Sequence, residues 1–325
     1  MPAGHTEVLD AGQAGIARAA TLLRAGGCVA FPTETVYGLG ANAGSGAAVA
    51  RIFEAKGRPR FNPLIVHVPS LSAAQEIGVI SGPAQRLAEA FWPGPLTLVV
   101  PLREAAGISP LVTSGLDTIG LRVPQSAVAQ ALLREVGQPI AAPSANPSGR
   151  VSPTTAAHVL DGLAGRIAAV LDGGTAEVGL ESTIIGFAEA GTVPQLLRPG
   201  GLPSEVLEEA LGRPLSARPD PARSDRKVIA PGQLSTHYAP RKSLRLEAEA
   251  PREGELWLGF GAPAVHPGLT LSASGDLREA AAALFGHLRR LDRMEGIGIA
   301  VAPVPEVGLG RAINDRLRRA AAPRR

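Results

Sequence analysis

Several residue types are scarce in this 325-residue chain, and each shortage excludes a class of protein. The single cysteine, Cys28, rules out an internal disulfide, which suits a reducing compartment. No apolar run approaches the ~20 residues that a membrane-spanning helix needs, and the first residues lack the apolar core of a secretory signal. We therefore expect a soluble, cytoplasmic protein without a membrane partner.

Motifs that identify common catalytic classes are missing as well. The pattern G-x-x-x-x-G-K-[ST] does not occur, so any ATP site is not a P-loop. The six histidines form no pair at zinc-binding spacing, and the G-x-S-x-G pattern of serine hydrolases is absent. We predict no metal-binding residues, and a metal that takes part in the reaction would arrive as Mg²⁺ on the phosphates of a nucleotide.

Basic residues are unevenly distributed, which limits what the pI of about 9.5 implies. Residues 311–325 contain six arginines and one aspartate and contribute +5, whereas the whole chain carries +3, so the first 310 residues sum to −2. The basic character therefore belongs to the C-terminal segment. We interpret that segment as a solvated helix end rather than as an RNA-binding surface.

The chain does contain a regular alternation of helical and strand patterns over its first 200 residues. Forty-five per cent of residues are hydrophobic and 19% are charged, which leaves enough apolar material for a core. Near residue 200 the sequence becomes rich in proline, and a shorter α/β pattern follows. We predict an α/β fold with a mixed sheet in residues 1–202, a linker with one short helix at 203–243, and a smaller α/β domain at 244–325.

One glycine-rich pattern is similar to a dinucleotide-binding loop. YGLGANA fits G-x-G-x-x-A at Gly38, Gly40 and Ala43. A buried, apolar parallel strand should precede such a loop, yet the residues before Gly38 are PTETVY. We therefore do not favour a dinucleotide-dependent oxidoreductase, an alternative that predicts tight NAD binding at these glycines.

The segment KGRPRFNPLIVHV, residues 56–68, concentrates positive charge. Lys56 is one of only three lysines, and Arg58 and Arg60 follow it closely. A lysine ammonium is a compact point charge that fits among phosphate oxygens, whereas arginine offers a planar fork. The pattern indicates phosphate binding, but a solvated turn between a helix and a strand is the alternative from these residues alone.

Further polar motifs interrupt the apolar strands. PTETVYG and GLESTIIGF set hydroxyls and a carboxylate beside strands, and APSANPSGRVSPTT forms a stiff polar loop before a helix N-terminus, which suits a phosphate. Arg122 lies within the apolar strand TIGLRVP, where it must find an anion. That anion is either an internal carboxylate or a substrate carboxylate bound in a bidentate manner.

Together with FWPGPLTLVV, LRPGG and HYAP, these motifs occur in an order that resembles the YrdC/Sua5 family of L-threonylcarbamoyladenylate synthases. The resemblance covers essentially the whole chain, and the last part is similar to the accessory Sua5 domain of the longer members. It implies a twisted mixed-sheet α/β catalytic domain, a smaller Rossmann-like α/β domain, and a linker that folds over the nucleotide.

The resemblance also implies a reaction, in which L-threonine, bicarbonate and ATP give L-threonylcarbamoyl-AMP and pyrophosphate. The product serves the formation of N6-threonylcarbamoyladenosine in tRNAs that read codons beginning with A. The implied partners are the three substrates and the transferase machinery that accepts the product, and a direct contact with tRNA is left open.

The family's functional positions transfer to matching residues of this chain. The resemblance implies Lys56 and Arg58 as the catalytic pair. The implied ATP contacts are Lys56, Arg58, Asn62, Thr118, Ser144, Asn146, Ser152, Arg198 and Tyr238. The implied L-threonine contacts are Thr35, His67, Arg122, Ala142 and Ser182, with Arg122 binding the carboxylate. His237 and Tyr238 are implied to form the lid of the linker.

Two further functions compete with this one. An RNA-binding module without catalysis would use the basic surfaces, but two tryptophans and two tyrosines provide few stacking platforms. A ligase that transfers carbamoyl groups to another acceptor is the nearest enzymatic rival. Such ligases carry the related domain inside a much larger chain with zinc-binding cysteines, which this chain lacks.

Overall fold

The computed structural model describes residues 5–187, 193–217, 238–264 and 267–323. These residues form an eleven-stranded mixed sheet followed by a separate four-stranded parallel sheet, each with helices packed on it. The predicted α/β fold class is therefore confirmed. Within the described residues, no helix is long and apolar enough to cross a membrane.

The larger sheet is built from short strands that alternate with helices. Its strands are β1 (Glu7–Asp10), β2 (Val29–Phe31), β3 (Gly38–Asn42), β4 (Ile65–His67), β5 (Leu96–Pro101), β6 (Thr118–Arg122), β7 (Ile140–Ala141), β8 (Ala169–Asp172), β9 (Thr183–Gly186), β10 (Gln195–Arg198) and β11 (Ser216–Ala217). Its helices are α1 (Gln13–Arg24), α2 (Gly46–Lys56), α3 (Leu71–Ile77), α4 (Gly82–Phe91), α5 (Pro110–Thr113), α6 (Ala127–Val136), α7 (Ala156–Leu163) and α8 (Ser204–Leu211).

The strand order is β1-β8-β2-β3-β7-β4-β6-β5-β9-β10-β11, and it mixes both pairing directions. The pairs β2–β3, β3–β7, β4–β7, β5–β6 and β9–β10 are antiparallel, while β4–β6 and β5–β9 are parallel. Since β4 and β6 are parallel neighbours, their carboxyl ends meet at one edge of the sheet. This register sets His67 directly beside Arg122.

The residues at the two ends of α2 explain where Lys56 lies. Ser45 caps the start of α2 by accepting a hydrogen bond from the backbone N–H of Ala48 at 3.2 Å. Gly57 ends the helix in the left-handed conformation with φ of 59°, which glycine adopts without steric cost. Lys56 therefore lies in the last turn, where the negative end of the helix dipole favours a cation.

The glycine-rich pattern is part of a strand and not of a ligand-binding loop. Gly38 and Gly40 lie in β3, which pairs antiparallel with β2 and β7. A Cβ atom at Gly40 would lie 2.8 Å from the ring of Phe31 and 2.9 Å from Ile140, so close packing requires glycine here. The geometry gives no support to the oxidoreductase alternative.

The N-terminal part of the predicted linker is built into the first domain. Helix α8 packs against α4 and places Leu207 and Leu211 in the core, and β11 extends the sheet beside β10. Residues 204–217 of the predicted linker thus pack on the first domain, because the apolar face of α8 needs a core to cover it, while the predicted domain boundaries stay predictions. Residues 218–237, which include His237, lie outside the described residues, so the lid stays a prediction.

The second domain is small and regular. Its strands are β12 (Ser243–Arg245), β13 (Glu255–Gly259), β14 (Gly268–Thr270) and β15 (Gly298–Val301), and its helices are α9 (Leu277–Arg293) and α10 (Gly310–Ala321). The strands follow the order β12-β15-β13-β14 and all pair in parallel. Asp276 caps α9 by accepting hydrogen bonds from the N–H groups of Arg278 and Glu279 at 2.7 and 2.8 Å.

The two domains share a hydrophobic core. Val36, Val151 and Leu180 of the first domain cluster with the buried face of α9. Tyr238, which lies in the predicted linker and follows the residues 218–237 that are not described, stacks on Phe285 of α9 with 5.6 Å between ring centroids. The second domain is therefore packed directly against the loops that carry the predicted ligand contacts.

Candidate active site

A cleft opens in the first domain where β4 and β6 end. The space between its walls is open to solvent and measures about 550 Å³. Nine of the predicted site residues line it, and its walls are Thr33, Thr35, Val36, Gly38, Arg58, Ile65, His67, Arg122, Ala142, Pro143, Ser144, Glu181, Ser182, Arg198 and Tyr238. Most predicted contacts, although scattered over two hundred residues of sequence, thus converge on one cavity.

Arg122 lines the cleft and is already paired with a carboxylate. Its Nη2 donates to Glu34 Oε1 at 2.5 Å, its Nη1 donates to the Thr35 hydroxyl at 2.9 Å, and both members of the ion pair are buried. Glu34 Oε2 also accepts from the backbone N–H of Gln125 at 3.0 Å, near the start of α6. With Nε bound to the carbonyl of Gly94, the guanidinium keeps one N–H on each terminal nitrogen for a ligand.

His67 lies beside Arg122 as a neutral imidazole. Burial, and next the charge of Arg122, lowers the pKa of His67 to about 3. The ring packs edge-on against Phe31 with centroids 6.2 Å apart. Its Nδ1 is buried and has no hydrogen-bond partner among the described residues, so it is available to a ligand.

Ser182 and Arg198 form another part of the cleft wall. Arg198 Nη2 donates to the carbonyl of Ser182 at 2.8 Å and to its hydroxyl at 3.2 Å, and the same hydroxyl lies 2.7 Å from that of Thr97. Arg198 is buried, and burial lowers its pKa. A guanidinium is thus fixed at the wall of the cleft by the chain that carries Ser182.

Lys56 lies behind the cleft wall and holds the loop that forms it. Its ammonium donates to the backbone carbonyls of Ser144 and Asn146. Burial, and next the charge of Arg58, lowers the pKa of Lys56 well below its usual value. A compact ammonium can reach two adjacent carbonyls in this space, which gives a physical reason for lysine in an arginine-rich chain.

Arg58 is the buried cation that lines the cleft beside this loop. Its Nη2 donates to the carbonyl of Pro63 at 2.9 Å, and burial lowers its pKa to about 10. Neither Arg58 nor Lys56 forms an ion pair with any described residue. Two buried basic side chains without a protein counter-ion favour the binding of an anionic ligand beside them.

The remaining predicted ATP contacts lie around the cleft and not on its surface. Asn62 and Asn146 are buried, and each has a side-chain oxygen without a hydrogen-bond partner in the described part of the chain. The hydroxyl of Ser152 donates to Glu181 at 2.5 Å. Thr118 begins β6 and pairs with Pro101 of β5. For these four residues, a direct ligand contact stays a prediction.

The sequence motifs included the carboxylates of Glu34 and Glu181 without giving them a role, and Arg316 was not predicted as a site residue. Glu34 and Glu181 line or anchor the cleft, and Glu181 accepts from Arg316 Nε at 2.7 Å. Burial raises the pKa of Glu181, but Arg316 and Arg198 outweigh it and lower the value to about 2. Arg316 belongs to the C-terminal segment interpreted as a solvated helix end; that interpretation is wrong for Arg316, which is 0% exposed.

Comparison with known proteins agrees with this geometry. The Sua5/YciO/YrdC family model, described as telomere recombination, matches residues 21–200, and the model of the C-terminal domain of threonylcarbamoyl-AMP synthase matches residues 202–322. The chain is 41% identical to the threonylcarbamoyl-AMP synthase of Bacillus subtilis over 98% of this chain and 96% of that protein. It is 43% identical to that of Pyrococcus abyssi over 93% of both proteins. The chain belongs to the threonylcarbamoyl-AMP synthase family.

A solved structure extends the likeness to three dimensions. The crystal structure of Pyrococcus abyssi Sua5 complexed with L-threonine superposes with a TM-score of 0.88 at 39% identity, over 97% of this chain and 98% of that one. The predictions of family, fold class and activity are confirmed. The chain is an ATP-using threonylcarbamoyl-AMP synthase, and its product serves N6-threonylcarbamoyladenosine formation in tRNA. The domain boundaries and the residue roles stay predictions.

The buried His67 predicts how the stability of this synthase depends on pH. The unfolded chain binds a proton at His67 below about pH 6.5, whereas the folded chain resists protonation until about pH 3, so acid favours unfolding over this window. We expect His67→Gln to remove about 2 kcal/mol of the stability loss between pH 6.5 and 5.0. Urea denaturation at both pH values tests this, with the exposed His5→Gln as the control that should keep the wild-type pH dependence.

Gly200 of LRPGG predicts a packing effect on the cleft. A Cβ atom there would lie 2.3 Å from the carbonyl oxygen of Glu181 and 2.4 Å from the carbonyl carbon of Ser182. We expect Gly200→Ala to displace this wall, to cost about 1–3 kcal/mol of unfolding free energy, and to lower turnover. Gly286→Ala is the matched control, since a Cβ in the middle of α9 meets nothing within 4 Å and should stabilise by up to about 1 kcal/mol. Equal thermal stability and activity of the two variants would contradict the packing argument.

Proposed function

We propose that the cleft is the site where L-threonine, bicarbonate and ATP are joined, with L-threonine at the Arg122 end and the triphosphate at the Arg58 end. The observation that carries this proposal is the convergence of three buried arginines on one cleft. Burying a cation costs free energy unless an anion compensates it. A carboxylate at one end and phosphates at the other would provide that compensation.

The threonine end is proposed from geometry and charge. Arg122 is oriented by Glu34 and Thr35, and its remaining N–H groups suit a substrate carboxylate. The neutral His67 offers its unpartnered Nδ1 without adding a second positive charge. Ala142 and Ser182 complete a small pocket with one apolar and one hydroxyl side chain, which suits the methyl and hydroxyl groups of threonine.

The nucleotide end is proposed to act by electrostatic stabilisation. The amine of threonine combines with bicarbonate to form a carbamate with loss of water. A carbamate oxygen then bonds to the α-phosphorus of ATP, and the bond from that phosphorus to the departing pyrophosphate oxygen breaks. Negative charge grows on the pyrophosphate, where Arg58 and the Lys56-anchored loop are preorganised to stabilise it.

We propose that Mg²⁺ accompanies the phosphates of ATP rather than occupying a protein site. The two carboxylates at the cleft, Glu34 and Glu181, are engaged by Arg122 and Arg316. No group of three histidine, cysteine, aspartate or glutamate side chains that could hold a metal ion occurs among the described residues. When bound to the triphosphate, the ion would neutralise part of its charge.

Pyrophosphate release tests this function. We expect release from ATP with Mg²⁺ only when L-threonine and bicarbonate are both present, and we expect serine or valine to replace threonine poorly. Release that does not depend on threonine would mean that the acceptor is wrong. If the protein releases no pyrophosphate under any condition but still binds RNA, the RNA-binding alternative would be favoured.

RNA contact is a second proposal, and one surface favours it. A groove between the domains is lined by five arginines, of which Arg150, Arg166 and Arg241 are exposed and form no ion pair with a described residue. We propose that this groove contacts the phosphate backbone of tRNA when the product passes to the transferase machinery in the cytoplasm. Replacing the three arginines by alanine should weaken tRNA binding and reduce its salt dependence, while leaving pyrophosphate release unchanged.

A further inference from the structure

Arg316 of the second domain reaches the wall of the catalytic cleft. It lies on α10 and is fully buried between the domains. Its Nε donates to Glu181 Oε2 at 2.7 Å, and its Nη1 donates to Asp315 Oδ2 at 2.6 Å. Its guanidinium carbon lies 5.1 Å from the centre of the Tyr238 ring, within cation–π distance. One side chain thus contacts two residues that line the cleft, Glu181 and Tyr238.

Both of these residues sit in constrained positions. Glu181 Oε1 accepts the hydroxyl of Ser152 at 2.5 Å, so the carboxylate bridges the second domain and the polar loop of the first. Tyr238 has φ of 63°, in the left-handed region that a non-glycine residue rarely adopts. Its ring is enclosed between Arg316 and Phe285. These contacts hold the tyrosine in place within the predicted linker.

The charge of Arg316 matters because Glu181 also faces Arg198. Arg316 and Arg198 both lower the pKa of Glu181, with Arg316 the stronger influence. While Arg316 balances the carboxylate, the field of Arg198 remains directed to an anionic ligand. Without Arg316, the buried carboxylate of Glu181 would attract Arg198 as its next counter-ion.

Burying the charged side chain of Arg316 costs free energy, so stability alone does not explain its position. Its Nη2 is buried and has no hydrogen-bond partner in the described part of the chain. Well-packed apolar side chains often replace buried ion pairs without loss of stability. A buried guanidinium that leaves one donor unpaired therefore points to a role in orientation.

We propose that Arg316 is a positioning residue through which the second domain sets the ATP side of the cleft. It fixes Glu181, and through it Ser152, it fixes the ring of Tyr238, and it keeps Arg198 directed to the nucleotide. This inference rests on the proposed placement of ATP in the cleft. It gives the second domain, which carries no catalytic motif of its own, a defined part in the reaction.

The test is steady-state pyrophosphate release by the full chain, with ATP and L-threonine varied in turn. We expect Arg316→Met to raise the KM for ATP at least tenfold and to change the KM for L-threonine less than twofold. Arg318→Met is the matched control, because Arg318 lies on the same helix but is exposed and pairs only with Glu306 among the described residues. Both of its KM values should equal those of the wild type.

A double variant separates positioning from a merely structural role. If Arg316 acts by balancing Glu181, then Arg316→Met combined with Glu181→Gln removes the unbalanced charge, and the KM for ATP should return to that of Glu181→Gln alone. If Arg316→Met does not fold, Arg316→Lys is measured instead, and it should raise the KM for ATP without altering that for threonine. An unchanged KM for ATP in a folded variant, or equal rises for both substrates, overturns the inference. Wild-type protein that fails to release pyrophosphate with all three substrates would instead refute the proposed function.

Discussion

Replacing Arg122 with lysine is expected to raise the KM for L-threonine by about 10- to 100-fold, which corresponds to about 1.4–2.8 kcal/mol. The guanidinium presents a planar fork, and its N–H groups are already divided between Glu34, Thr35 and the proposed substrate carboxylate. A lysine ammonium keeps the positive charge beside Glu34 but cannot supply the fork. The KM for ATP should change less than about threefold, since the triphosphate is proposed to bind at the other end of the cleft.

Lysine is the replacement because it keeps a positive charge beside Glu34, so that the variant should fold and its KM values report on substrate binding. Arg122→Ala would leave the Glu34 carboxylate buried without its partner, which typically costs about 3–5 kcal/mol of stability. Arg134→Lys, on the exposed face of α6, is the matched control and should leave both KM values unchanged. If Arg122→Lys raises the KM for ATP as much as that for threonine, Arg122 does not define the threonine end.

Replacing Lys56 with methionine is expected to lower kcat by about 100-fold, because the loop that it anchors at the cleft wall would shift and a small misplacement of a positioned group can cost that much. Methionine has a similar length, so the buried space stays filled, but the carbonyls of Ser144 and Asn146 lose their donor. Each unsatisfied carbonyl costs about 1–3 kcal/mol, so some stability is lost as well. Pyrophosphate release at saturating substrates measures kcat, and thermal unfolding measures the fraction of folded protein.

Lys242 provides the control for this substitution. Its ammonium also donates to a backbone carbonyl, that of Asp292 at 2.7 Å, but it lies in the second domain away from the cleft. Lys242→Met should therefore alter stability without altering kcat. If Lys56→Met and Lys242→Met have the same kcat, the lysine of the KGR segment supports only the fold.

The segment KGRPRFNPLIVHV shows which features of the site could be predicted from sequence and which could not. Its unusual composition indicated a site that binds phosphate. The structure places Lys56 and Arg58 around a cleft wall. The sequence could not predict that Lys56 holds two carbonyls of a loop 88 and 90 residues away, because that contact depends on how α2 and the loop pack. Arg122 is similar: sequence left open an internal or a substrate anion, and the internal partner is Glu34, 88 residues distant.

Arg316 shows where the sequence pattern misled. A run of arginines near a chain end normally indicates a solvated surface. The helical period offered a better guide, since Arg316 lies three residues after Ile313 and four before Ala320, on the buried face of α10. The partner of that face, Glu181, belongs to the other domain, and no local pattern could reveal it.

A crystal structure of the full chain with L-threonine and a non-hydrolysable ATP analogue tests the proposed active site most directly. We predict the threonine carboxylate within hydrogen-bond distance of Arg122, the triphosphate beside Arg58, and both ligands in the same cleft. Threonine bound away from Arg122, or a nucleotide bound outside this cleft, would contradict the proposed arrangement of substrates.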